Sequence, residues 1–196
     1  MATRAALKLA RLSPDGDAQL LQVGGDVQRT AALQAGAIDA AVLNPPATTV
    51  ARKAGFVELI DLSRLPEADY QHNTAVASRA YAATRPDIVQ RYVSGLVQAI
   101  HYASQQKDAT TRIISHYNQL EDADGLDEAY LQYYAPGAAM VTRAPYPKPQ
   151  ALAVTIEEVA ADRPDARRLR YEDLVDDHFV RALEESGFIG QLYAGE

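Results

Sequence analysis

Cysteine is missing from the 196 residues. That excludes disulfides, thiolate catalysis and cysteine-ligated zinc together, but it leaves the compartment open, because exported proteins also avoid free thiols. No apolar run reaches the ~18 residues that a membrane-crossing helix requires. The first residues, MATRAALKLARL, carry early basic groups without a sustained apolar stretch or a cleavage site, so they read as an amphipathic helix and not as a signal peptide. Positive charge is also in short supply: 19 Lys and Arg stand against 26 Asp and Glu, a net charge of −7. That balance argues against non-specific binding to nucleic acid or to an anionic membrane. A local site for an anionic small ligand stays possible under it. Neither G-x-x-x-x-G-K-[ST] nor G-x-G-x-x-G occurs, and there is no G-x-S-x-G elbow. The histidines, His72, His101, His116 and His178, lack H-x-x-x-H and H-E-x-x-H spacing, so no zinc site is expected. No catalytic residue, metal or cofactor is expected, and the chain reads as a non-enzyme.

With 47% apolar and 23% charged residues, the chain has the composition to bury a core as one domain or two small ones. The stretch from Leu21 to Gly55, LQVGGDVQRTAALQAGAIDAAVLNPPATTVARKAG, reads as strand, glycine turn, helix, glycine, strand, Asn-Pro-Pro turn, helix, glycine. Asp26 is placed to cap the first of these helices and Asn44 the second, with Pro45 and Pro46 near its first turn. Strands are predicted at Ala18–Val23, Ile38–Leu43, Phe56–Asp61 and Asn73–Ser78. Ile38–Leu43 is apolar enough to need cover on both faces, as in a parallel sheet. Helices are predicted before and after this region: Ala2–Leu12, Pro86–Gln106, a helix capped by Asp108 and running to Tyr117, Leu126–Tyr134, Ala151–Ala161 and Asp177–Ser186. The expected fold class is α/β: a parallel-sheet lobe over residues 1–79 and a mainly helical part over residues 80–196.

Two strand-to-helix corners point small-residue turns and helix N-termini toward one sheet edge, a place to hold an anionic or polar ligand. Gly24 and Gly25 can let backbone approach a ligand, or they form a tight turn before a cap. Asn44, Pro45 and Thr48 can supply a hydrogen-bonding corner, or Asn44 is only a helix cap. His72 and Asn73 read as a solvated loop or as part of a cleft wall. In the proline connector 135–149, Arg143 can pair with an oxyanion and Tyr146 can stack on a ring, or both belong to a surface loop. Asp176-Asp177-His178 reads as the cap of the last helix, and Glu184-Glu185 as a solvated face.

The order of these features resembles a known family. Gly24-Gly25, Ala32-Leu33-Gln34-Ala35-Gly36, Ile38-Asp39-Ala40-Ala41 and Pro45-Pro46, followed by ARKAGFVELIDL, look like the second lobe of solute-binding proteins of ABC importers. The nearest type is that for nitrate, sulfonate, taurine and the thiamine-pyrimidine precursor. Arg85-Pro86-Asp87-Ile88-Val89 and Glu185-Ser186-Gly187-Phe188-Ile189 fit the same pattern. The resemblance implies a type II periplasmic-binding-protein-like fold with an incomplete first lobe, the chain corresponding to roughly the C-terminal two-thirds of a member. It implies a periplasmic or envelope-anchored location, a small anionic or polar ligand held in an inter-lobe cleft, and a membrane permease as partner. Gly24, Gly25, Asn44, Pro45 and Thr48, with Arg143 and Tyr146, are the expected ligand-binding residues. Two alternatives stay open on the same fold: an enzyme of menaquinone or pyrimidine-precursor biosynthesis, and the effector-binding domain of a transcription regulator.

Overall fold

A computed structural model describes residues 2–64, 71, 73–138 and 140–195. His72 lies outside the described residues. In chain order the helices are α1 (Ala2–Leu9), α2 (Asp26–Gln34), α3 (Ala47–Lys53), α4 (Arg79–Thr84), α5 (Pro86–Gln105) and α6 (Lys107–Asn118). They continue as α7 (Ala123–Tyr133), α8 (Pro149–Asp162), α9 (Tyr171–Leu174), α10 (His178–Glu185) and α11 (Phe188–Leu192). Short 3-10 turns lie at Leu62–Arg64 and Pro164–Arg168. The chain divides into two units, Met1–Asp69 with Asp108–Gln132, and Tyr70–Lys107 with Tyr133–Glu196.

The expected α/β class is corrected: among the described residues there is no strand, and the protein is mainly helical. Ala18–Val23, Ile38–Leu43 and Phe56–Asp61 run as irregular backbone, as does residue stretch 73–78 up to the cap of α4. The parallel-sheet lobe expected for a type II periplasmic-binding-protein-like fold is therefore not formed. A physical reason lies in the side chains. Ile38–Leu43 holds two alanines and an aspartate, poor strand formers that add little apolar area. A short apolar run also cannot be assigned to strand by periodicity alone. Leu21, Val57, Leu59 and Val76 are all exposed, with Val76 at 89%, so the apolar residues that suggested strands have no opposing layer. A parallel ladder requires a neighbouring strand to take each N–H and C=O.

In the first unit, α1 ends at a turn in which the Ser13 amide donates to Asp17 (2.7 Å) and Arg4 pairs with Asp15 (2.7 Å). The Arg4 guanidinium holds the Asp15 carboxyl below its ordinary range. Leu33, Ala51, Ala129 and Tyr130 are buried, together with Thr30, Thr49 and Thr110. That is a core of small and hydroxyl-bearing side chains, and polar contacts carry much of the joining. Lys53 at the end of α3 reaches Asp122 (2.6 Å) and Asp124 (2.7 Å) before and within α7. The Gly125 amide also donates to Asp122, at 2.7 Å. Thr49 and Arg52 both bond to Glu128. Gly125 lets α7 come close: a Cβ there would meet Pro46 Cβ at 3.0 Å and the Pro46 carbonyl oxygen at 3.1 Å.

The second unit has an apolar core. Pro86 starts α5 at a position where its missing N–H costs little. Val89, Val93, Val97 and Ile100 form the inner line of this helix, and Val97 is fully buried. Val97 clusters with Leu183 of α10 and Ile189 of α11, flanked by Val93, Ala144, Phe188, Leu192 and Tyr193. Gly187, at φ +76, makes the left-handed turn between α10 and α11. Gln90 donates to the Phe179 carbonyl at 3.1 Å, fixing α5 against the start of α10. The helix boundaries expected for α5, α6, α8 and α10 agree with the structure to within about two residues, the usual scatter of helix ends.

Two glycine-to-alanine changes are expected to have opposite signs. Gly95 is an exposed position in mid-α5 with nothing within 4 Å of an added Cβ, so Gly95→Ala stabilises by about 0.5–1 kcal/mol. Gly125→Ala drives its methyl into Pro46 and destabilises by about 1–3 kcal/mol. Urea unfolding of both variants checks the pair. A second expectation concerns acid. Lys53 and the Gly125 amide hold the Asp122 carboxyl below its ordinary value of 3.8. Because the folded value is depressed, this contribution is present above 3.8 and is lost as pH falls through the folded value. Thermal melts from pH 7 downward should therefore give a shallower acid limb for Asp122→Asn than for the wild type.

Candidate functional site

The site is built from the two corners of the first unit. Gly24 has φ +116, a backbone that glycine adopts without strain. Gly25 is extended, at φ −78 and ψ −176, and takes the N-cap position of α2. Backbone conformation therefore accounts for glycine at 24 and not at 25, where an added Cβ would lie 3.2 Å from Gln28 Oε1. No side chain caps α2. Asp26, expected as the cap, is instead its first residue and turns its carboxylate to two partners. Oδ1 accepts from Arg29 at 2.7 Å, and Oδ2 accepts from Asn44 Nδ2 at 3.2 Å.

The Asn44 bond brings the second corner to the first. Asn44 does not cap α3 with its side chain; Pro46 takes the N-cap position. The Asn44 carbonyl instead accepts from the Thr48 amide at 3.3 Å. The Pro45–Pro46 peptide is cis, and Pro46 is buried. Gly24, Gly25, Asn44, Pro45 and Thr48 thus belong to one neighbourhood, joined through Asp26. Two polar atoms of that neighbourhood, Arg29 Nε and Thr48 Oγ1, are buried without a hydrogen-bond partner among the described residues. A buried group of this kind ordinarily has a protein or solvent partner. Asp26 takes one arm of the Arg29 guanidinium, so the pair is near neutral while a donor is left over.

Arg143 and Tyr146 belong to the second unit. The Arg143 guanidinium carbon lies 4.2 Å from the centroid of the Tyr193 ring, a cation–π contact. The same ring takes His101 edge-on, with centroids 4.6 Å apart. Tyr146 donates its hydroxyl to Glu184 Oε2 at 2.8 Å. Burial and then the Glu184 carboxylate push the Tyr146 phenol up to about 12. Asp177 holds the N-cap position of α10 without capping it by a hydrogen bond, and its carboxylate accepts from Arg181, 2.9 Å to each oxygen.

Sequence reasoning missed Arg29, Tyr171, Arg181 and the bonding role of Glu184. Arg29 carries a usable signal, its place three residues after Asp26 on one helical face. Arg181 carries a similar one, four residues after Asp177. Tyr171 carries none, since its contact with the connector, a hydroxyl donated to the Pro147 carbonyl at 3.1 Å, joins residues 24 apart in the chain. Among the described residues, no group of three acidic or histidine side chains could hold a metal ion, and no helix is long and apolar enough to cross a membrane.

Comparison with known proteins agrees with the resemblance read from the sequence. The model of the NMT1-like family matches residues 1–117, more than half of the chain and the whole of the segment carrying Gly24 through Thr48. No curated protein and no solved structure matches. At the level of the family, the match points to solute binding in ABC transport. The chain belongs to the NMT1-like family.

Proposed function

We propose that the chain is an extracytoplasmic solute-binding component of an ABC importer. In this reading the corner around Gly24, Gly25, Asn44, Pro45 and Thr48 takes a small anionic or polar organic ligand of the sulfonate, nitrate or pyrimidine-precursor class. The observation that carries the reading is the pair of orphan atoms, Arg29 Nε and Thr48 Oγ1, in corners already tied together by Asp26 and Asn44. Both atoms can donate to an acceptor oxygen, and leaving such a donor buried without a partner costs about 1–3 kcal/mol. A ligand oxygen would remove that cost. Uncapped amides at the start of α2 add further donors for the same oxygen. The charge is suited to a weakly anionic or polar group, because Asp26 already offsets Arg29. The partner that follows from the family is a membrane permease that receives the loaded protein, and no chemical step is assigned to the chain.

Thr48→Val tests this without changing side-chain shape. In the ligand-free protein it removes an unsatisfied hydroxyl and should raise Tm by about 2–4 °C. Calorimetry with taurine, methanesulfonate and nitrate is expected to detect binding of at least one of them to the wild type. The same ligand should bind Thr48→Val about tenfold more weakly. Asn44→Ala should lower affinity by more than it lowers stability. Unchanged affinity in Thr48→Val, or no binding of any of the three, would count against the reading.

A further inference from the structure

The second unit contains an open, solvent-facing cavity of about 480 Å³, with room for a small organic molecule. Its apolar wall comes from Tyr146, Pro147, Pro149 and Tyr171. Asp177, Arg181 and Glu184 line the rest. The wall is fixed from within: Tyr171 donates to the Pro147 carbonyl, and Tyr146 donates to Glu184. The charges do not cancel. Both Asp177 oxygens accept from one nitrogen of the Arg181 guanidinium, so that pair is near neutral. Glu184 is left with one oxygen accepting from the Tyr146 hydroxyl, and among the described residues its other oxygen has no partner. The lining thus carries one net negative charge, with the exposed Glu184 carboxylate beside two phenol rings and two proline rings.

We infer that this cavity is a binding site for an organic ammonium ion with a flat or compact apolar body, the ammonium on Glu184 and the body against the tyrosines and prolines. Three properties of the cavity fit that class together. The free carboxylate oxygen accepts an N–H with charge assistance. The face of an aromatic ring favours a cation over a neutral or anionic group. The proline and tyrosine carbons take up an apolar body that water solvates poorly. The inference is independent of the proposed anion corner in the first unit and opposite to it in charge preference.

The test is calorimetry on the full chain at neutral pH and low salt with phenethylammonium, alongside two analogues of similar shape, 2-phenylethanol and 3-phenylpropionate. The ammonium is expected to bind about tenfold or more tightly than either analogue. Glu184→Gln keeps an oxygen for the Tyr146 hydroxyl and should abolish that preference. In the wild type, the ring resonances of Tyr146 and Tyr171 should move during titration with the ammonium. Equal affinity for ammonium and alcohol, tighter binding of the carboxylate, no binding of the ammonium, or tyrosine signals that stay still would each overturn the inference. So would a folded Glu184→Gln chain that retains the full preference. The comparison of ligands on the wild type decides the matter even where the variant does not fold.

Discussion

The first unit depends on how closely α7 can approach the Pro46 corner. Its buried side chains are mostly alanine, threonine and one tyrosine, so apolar area alone binds the helices weakly. What fixes α3 against α7 is a row of polar joints, Thr49 and Arg52 to Glu128 and Lys53 to Asp122, made possible by a glycine without a Cβ. The corner that holds Asn44 and Thr48 sits at the head of α3. Its position therefore follows from contacts made by residues nearly 80 positions further along the chain. The exposed members of these ion pairs contribute little individually. As a set, they specify which surface of α3 meets α7.

The second unit is organised by a different principle. Val97, Leu183 and Ile189 are apolar, interlocked and contributed by three helices. The connector before α8 is laid on this core through Ala144 and held by contacts of Arg143, Tyr146 and Pro147 with Tyr193, Glu184 of α10 and Tyr171. A proline-rich segment lacks amide donors at several positions, so side chains and carbonyls take over the work of fixing it. The cavity beside Tyr146 is the space left where this stiff segment passes α10.

The sequence was legible at several places where local rules governed the outcome. The apolar stripe and leading proline of α5, the glycine after α10 and the turn after α1 each follow from residues within a few positions of one another. The expected sheet was misread because Ile38–Leu43 and its neighbours are apolar enough to suggest strands, yet pairing is a long-range property that no single stretch encodes. The candidate corner was legible in its members and illegible in its wiring. Asn44 has the chemistry of a helix cap, but its side chain turns to Asp26, 18 residues earlier, and an asparagine does not advertise whether its amide oxygen will accept at a helix start or its amide nitrogen donate elsewhere. The spacing of Arg29 from Asp26 is legible in the sequence, but the burial of its Nε is not.

The chain has eleven tyrosines and no tryptophan. Its near-ultraviolet emission is therefore that of phenol alone. An ordinary phenol ionises near pH 10, and Tyr146 does so at about 12, with Tyr171 raised as well. The two rings lining the cavity of the second unit therefore keep their protons to a higher pH than an ordinary phenol does, and the phenolate absorbance that marks alkaline titration comes late from that cavity.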